Sequence, residues 1–208
     1  SEAWGGALRQ RIEARRDAGF VREGHGDLHL GNIARTRWGI RAFDCLEFAP
    51  ELRWIDVVSD LAFTVMDLRD RGAPGFAWLL LDEYLARSGD YQGIRLLPLY
   101  MVYRALVRAK VNTFRLDDED ADRSGVLKEI ESYLTLAANI TGERRAGIVV
   151  TMGVSGSGKS WLARRLVAHA GLVRMRSDVE RKRLHGLDPD DSSDSDLGAD
   201  LYSGKATE

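Results

Sequence analysis

Gly153-Val154-Ser155-Gly156-Ser157-Gly158-Lys159-Ser160 is a complete G-x-x-x-x-G-K-[ST] phosphate-binding loop, and it constrains the fold more than any other stretch of the chain. Its flanks suit it. Ile148-Val149-Val150-Thr151-Met152 is apolar and β-branched, which predicts a buried strand. Trp161 to Ala168 follows with helical spacing, Leu162, Leu166 and Val167 sharing a face. A strand, a glycine turn and a helix start would gather backbone N–H groups around a phosphate at the positive end of a helix. The pattern predicts that Gly153, Ser155, Gly156, Ser157 and Gly158 line the cradle. Lys159 would reach the outer phosphates of ATP and Ser160 would hold Mg²⁺.

Upstream the pattern is mainly helical. Helices are predicted over 4–20, 54–70, 76–88, 93–114 and 122–140, with two short strands at 33–35 and 40–43 around Trp38-Gly39. Breaks fall at Gly72-Ala73-Pro74-Gly75, at Ser88-Gly89-Asp90 and at the acidic run 117–120. Trp54, Phe63, Trp78 and Tyr100 sit in these helical patterns and are expected in the core, whereas Asp56 is expected on the surface. The polar stretch 141–145 divides the chain into 1–142 and 143–208. A second strand is predicted near 172–175. Ser177 with Glu180 three residues later reads as a capping box. The acidic run 188–200 lacks the Gly and Glu of a calcium loop and reads as an unstructured acidic segment.

Composition narrows the function. Thirty Lys and Arg against 32 Asp and Glu leave a net charge of −2, which offers no electrostatic footprint for nucleic acid or an anionic membrane. No apolar run reaches membrane-spanning length. The single cysteine, Cys45, suits a reducing, cytoplasmic compartment and reads as a small buried hydrophobe.

A second phosphate-chemistry pattern lies near the start. His25-Gly26-Asp27-Leu28-His29-Leu30-Gly31-Asn32 places an Asp and an Asn five residues apart in a loop, and Phe43-Asp44-Cys45 adds a carboxylate after a strand. Phosphoryl transfer to a hydroxyl uses such parts: a base for the acceptor, and a carboxylate with an amide to hold Mg²⁺. His25 reads as a residue bracing the loop, His29 as a loop residue near the site, and Glu47 as either a solvated strand-end carboxylate or an assistant in metal binding.

Residues 24–63 resemble the catalytic lobe of aminoglycoside phosphotransferase-like small-molecule kinases, through His25-Gly26-Asp27, Asn32, Phe43-Asp44 and Asp60-Leu61-Ala62. The resemblance implies Asp27 as catalytic base, Asn32 and Asp44 as Mg²⁺ ligands, and Asp60 as a buried partner organising the loop. The run 176–182 is similar to gluconate-kinase-like and zeta-toxin-like P-loop kinases, which implies that Asp178 contacts or activates an acceptor hydroxyl. Together the two halves resemble bifunctional bacterial proteins that fuse such domains.

The fold class expected is α+β: a mostly helical, protein-kinase-like catalytic lobe followed by a partial α/β P-loop NTPase domain. The expected function is transfer of the ATP γ-phosphoryl to a small hydroxyl-bearing acceptor, with no nucleic-acid or membrane partner. Two alternatives are a nucleotide-responsive regulatory module and a polynucleotide end-kinase. No strand Lys with a helix Glu partner stands before Gly24, and no Walker-B-type strand follows residue 187, so the chain is expected to be a fragment with little turnover of its own. The C-terminal portion is short for an independent core and is expected to lean on the helical part or to be partly mobile.

Overall fold

The computed structural model describes residues 2–118, 120–142 and 147–188. They divide into two compact units, one of Ser1–Ala77 with Gln92–Val149, the other of Trp78–Tyr91 with Val150–Glu208. Residues 143–146, where the sequence suggests a boundary, and the acidic run from 189 onward lie outside the described residues.

In the first unit, α1 (Glu2–Asp17) leads into β1 (Val21–Glu23) and a loop closed by a 3-10 turn at Leu30–Asn32. β2 (Ile33–Thr36) and β3 (Gly39–Ala42) form an antiparallel hairpin, pairing Ile33 with Ala42 and Thr36 with Gly39. β4 (Trp54–Asp56) returns antiparallel to β1, with Val21 opposite Asp56. α2 (Val57–Asp70), α4 (Leu97–Phe114) and α5 (Arg123–Gly142) then pack together, while α3 (Pro74–Ser88) intervenes in sequence. Phe63, Val65 and Met66 of α2, Met101 and Ala105 of α4, and Val126, Ala137 and Ile140 of α5 are buried between them. Removing this apolar surface from water is the main term holding the unit together.

The start of α2 departs from the sequence reading. Residues 54–56 are a strand, because they complete a ladder with β1, and the helix begins one residue after Asp56. Trp54 on that edge strand is 60% exposed and is not a core residue. Asp56, expected on the surface, is 5% exposed. It caps α2 by accepting from Val58 N–H at 2.9 Å and takes a bidentate pair from Arg15, Nε to Oδ2 at 2.6 Å and Nη2 to Oδ1 at 2.9 Å. The Tyr100 hydroxyl adds a contact at 3.3 Å, and burial first, then the Asp56 carboxylate, raise the Tyr100 pKa.

In the second unit, α6 (Lys159–Ala170) and α7 (Ser177–Leu184) share a small core with the α3 segment, where Leu81, Leu85, Val167 and Val179 are buried. Arg174 forks onto Asp82, its nearer contact 2.7 Å, and Tyr91 donates to Glu180 at 2.8 Å. Burial first, then this hydrogen bond to Glu180, push the Tyr91 pKa up to about 12. The α3 segment thus supplies the helical partner that a short P-loop portion needs.

Both strands predicted in this portion are absent. Residues 148–152 and 172–175 are irregular, and Ile148 is 92% exposed. The four described strands all pair within the first unit, so these β-branched runs have no ladder to join. The α/β character expected of 143–208 is therefore not present among the described residues. The capping box also fails: α7 begins at Ser177, its N-cap is Arg176, and Glu180 turns to Tyr91 and Arg183. No helix among the described residues is long and apolar enough to cross a membrane.

Replacing Asp56 by Ala would take its bidentate carboxylate from the buried Arg15 and remove the α2 cap. The expected loss is about 3–5 kcal/mol, read as a lower midpoint in chemical denaturation. A change under about 1 kcal/mol would show that the pair is dispensable.

Candidate functional site

The loop 24–32 lies against one face of α2, whose Asp60, Thr64 and Asp67 follow one another at helical spacing. Asp60 accepts from His25 N–H at 2.6 Å and Gly26 N–H at 3.1 Å. Thr64 Oγ1 donates to Leu28 C=O at 2.6 Å, and Asp67 accepts from Leu30 N–H at 2.9 Å. From α4, Arg104 Nη1 donates to Gly26 C=O at 2.9 Å. The approach is so close at Gly24 that a Cβ there would stand 2.6 Å from Asp60 Oδ2, so any larger residue would displace the carboxylate that holds the loop.

The loop is also stitched to the end of β3. Phe43 N–H donates to Asn32 C=O at 3.0 Å, Leu46 N–H to His25 C=O at 3.2 Å, and His25 Nε2 lies 2.8 Å from Phe43 C=O. Since His25 Nδ1 faces Asp27 N–H, its proton belongs on Nε2. His25 therefore braces the loop, as its sequence position suggests.

These contacts bring together three of the predicted residues. Asn32 is buried, and its Nδ2 points at Asp27 Oδ2 (3.1 Å), at Asp27 C=O (3.0 Å) and at Asp44 C=O (3.4 Å). Asp44 has φ of 59°, a left-handed conformation that Asp tolerates better than most residues. Its carboxylate is exposed and has no hydrogen-bond partner among the described residues. Glu47 is exposed too, beside the half-exposed Cys45, whose Sγ is 3.8 Å from Glu47 Oε1; the expectation of a buried thiol fails because it lies in this surface turn.

The Asp27 carboxylate takes its state from its neighbours. His29 Nδ1 accepts from Gly31 N–H at 3.0 Å, which places its proton on Nε2, 3.4 Å from Asp27 Oδ2. The His29 hydrogen bond first, against the opposing effect of burial, holds the Asp27 carboxyl below the ordinary carboxylate range, with help from the charges of His29 and Arg108 and from Asn32. A carboxylate in this state accepts a proton only transiently, as a hydroxyl begins to bond elsewhere.

The donor chemistry suits Mg²⁺, a hard cation that takes oxygen ligands. With Nδ2 committed to Asp27, the Asn32 amide oxygen is turned the other way, and the Asp44 carboxylate is uncommitted. Among the described residues no group of three or more His, Cys, Asp or Glu is arranged to hold a metal.

In the second unit the phosphate-binding loop has the backbone its sequence demands. Gly153, Gly156 and Gly158 all have positive φ, at 146°, 77° and 82°. Gly158 caps α6, so the helix's first N–H groups face the loop. Lys159 Nζ folds across it, donating to Gly153 C=O at 2.6 Å and Val154 C=O at 2.5 Å, with Ser157 Oγ at 3.4 Å. Ser155 and Ser160 are exposed, Ser160 in the first turn of α6.

Asp178 is not drawn into this cradle. Its carboxylate pairs with Arg176 Nη2 at 2.6 Å and makes no contact with residues 153–160 among the described residues. Burial raises its pKa, but the Arg176 contact and the N–H groups opening α7 outweigh it and leave it lowered. Arg176 is thereby committed to an ion pair.

The sequence reading missed Thr64, Asp67, Arg104 and Arg108. A signal existed: polar groups at 60, 64 and 67 share one face of a helix whose interior residues 61–63, 65 and 66 are apolar, a pattern that marks a buried polar contact.

Residues 148–205 match the AAA domain family. The C-terminal portion is thus P-loop NTPase-like and of nucleotide-binding type. Proteins described as uncharacterized from Mycobacterium bovis and from the CDC 1551 and H37Rv strains of Mycobacterium tuberculosis are each 31% identical over 185 residues. The aligned region is 89% of this chain and 36% of theirs, so the chain spans little more than a third of the curated relatives it matches. No solved structure matches the chain.

Replacing His29 by Ala removes the leading cause of the low Asp27 pKa, so the Asp27 midpoint should rise. Carboxyl carbon NMR titration of parent and variant reads this directly; an unmoved midpoint would mean that His29 does not set the base.

Proposed function

We propose that the chain is part of an ATP-dependent phosphotransferase acting on a small hydroxyl-bearing acceptor. The observation that carries this reading is the phosphate loop itself: three positive-φ glycines and Lys159 at the N-terminus of α6, within a stretch matching the AAA domain family. Loop N–H groups and Lys159 would hold the nucleotide phosphates, with Ser160 as a Mg²⁺ ligand.

The first unit extends the reading to an aminoglycoside phosphotransferase-like site, and so to a bifunctional parent. There Asp27 would accept the proton of the acceptor hydroxyl as its oxygen bonds to the γ-phosphorus and the bond to the β-bridging oxygen breaks, releasing ADP. Asn32 and Asp44 would hold Mg²⁺, which neutralises phosphate charge when bound. Asn32 keeps Asp27 and the Asp44 backbone in register, and His29 keeps the base ionised. Asp178, seated on Arg176, would serve as the acceptor-side carboxylate of the P-loop half. The cytoplasm is the compartment where ATP is available to both.

Calorimetry of Mg²⁺-ATP and Mg²⁺-GTP on the chain tests this. Lys159→Ala should weaken binding roughly ten- to hundredfold, the usual consequence of losing a hydrogen bond to a charged group. Unchanged affinity in that variant would remove the nucleotide from the loop at 153–160 and overturn the reading there.

A further inference from the structure

The apolar face of α6 runs through Leu162, Leu166 and Val167, of which Val167 is buried. Trp161 stands off that face. It lies with Arg164, Arg165 and Ala168 at the i, i+3, i+4 and i+7 spacing of another side of the helix, and it is 64% exposed. An indole so placed adds little to the core. Its ring is held instead by a cation: the Arg165 guanidinium carbon lies 4.9 Å from the ring centroid.

The same residues line a groove. About 340 Å³ of open space is bounded by Trp161, Arg164, Arg165, Ala168 and His169 of α6 and by Leu79 of α3, all within the second unit. That volume is at the small end of the range for sites that take small molecules. No carboxylate lines it, whereas two arginines do. An aromatic and aliphatic wall with a cationic rim complements a flat ring joined to an anionic group.

The place of the groove identifies that ring. Trp161 is the residue after Ser160, in the first turn of the helix whose N–H groups face the phosphate loop. Lys159 Nζ lies over the carbonyls of Gly153 and Val154, at the start of the loop. Because this lysine takes the outer phosphates, the outer end of a nucleotide belongs on that side. The inner phosphate, and the nucleoside joined to it, then belong toward the first turn of α6.

We propose that Trp161 binds the nucleobase: the purine ring of the nucleotide stacks on its indole, which Arg165 holds in place. No carboxylate or amide side chain lines the groove to read the edge of a base, so selection is by stacking area, purine over pyrimidine. This inference rests on the reading of residues 153–160 as the nucleotide site.

Calorimetric titration of Mg²⁺-ATP, Mg²⁺-CTP and Mg²⁺-tripolyphosphate into the whole chain, Trp161→Ala and Trp161→Phe tests it. Tripolyphosphate keeps the phosphate chain and lacks the base. Trp161→Ala should weaken ATP binding roughly five- to hundredfold, the effect of losing one stacked base, and leave tripolyphosphate binding unchanged. Trp161→Phe should restore part of the ATP affinity, and the parent should bind ATP more tightly than CTP. Unchanged ATP affinity in Trp161→Ala, or an equal loss for ATP and tripolyphosphate, would overturn the inference and leave the loop as the nucleotide site. CTP bound by the parent as tightly as ATP would overturn selection by stacking area. A parent that binds neither ATP nor tripolyphosphate would overturn the loop reading itself, and this inference with it. If Trp161→Ala does not fold, as its thermal melt would show, Trp161→Phe carries the comparison, with a smaller loss confined to ATP expected.

Discussion

One face of α2 governs the first unit. The loop 24–32 must turn sharply against an apolar helix layer, and its backbone groups would be unpaired there without partners. Asp60, Thr64 and Asp67 meet four of them, three N–H groups and one carbonyl, at one helical spacing. Gly24 lets the loop come this close, since a Cβ there would press on Asp60 Oδ2. The position of Asp27 is therefore set by a rigid helix rather than by the loop's own preferences, which is the arrangement a reacting group needs. The Arg15–Asp56 pair fixes the start of that helix in turn. Taking two charges out of water makes this pair a poor source of net stability, but once formed it cannot lose one member cheaply.

Legibility in the sequence followed distance along the chain. Asp27, Asn32 and Asp44 lie within eighteen residues of one another, and their spacing alone suggests a shared site. The P-loop is more local still: its glycines, Lys159 and the following helix are determined by adjacent residues. Asp56 was misjudged because its partner Arg15 is 41 positions away and helical periodicity continues smoothly across 54–57. Arg104 and Arg108 were hidden for the same reason. On an amphipathic helix they read as solvated charges, and only the fold turns Arg104 inward onto Gly26. The strands predicted at 148–152 and 172–175 show the converse error. A β-branched run reports a capacity for strand formation, and a strand also needs a neighbour.

The two regions whose sequence patterns suggest phosphate chemistry obtain their charge differently. In the P-loop the positive end is built from backbone, with one side chain, Lys159, resting on carbonyls of the same loop. A phosphate entering that cradle exchanges two hydrogen bonds to neutral carbonyls for charge-assisted ones. The affinity gained is the difference between the two sets, not the full strength of the second.

Around Asp27 the positive charge comes from side chains sent by a distant helix, and the two arginines divide the work. Arg104 uses its donors to hold Gly26 and Ser59, so it cannot leave without loosening the loop. Arg108 touches the ring of Tyr133, and its Nε meets no acceptor. Its charge joins the His29 hydrogen bond in holding the Asp27 carboxyl low, so the state of that carboxylate depends on α4 as well as on the loop that carries it.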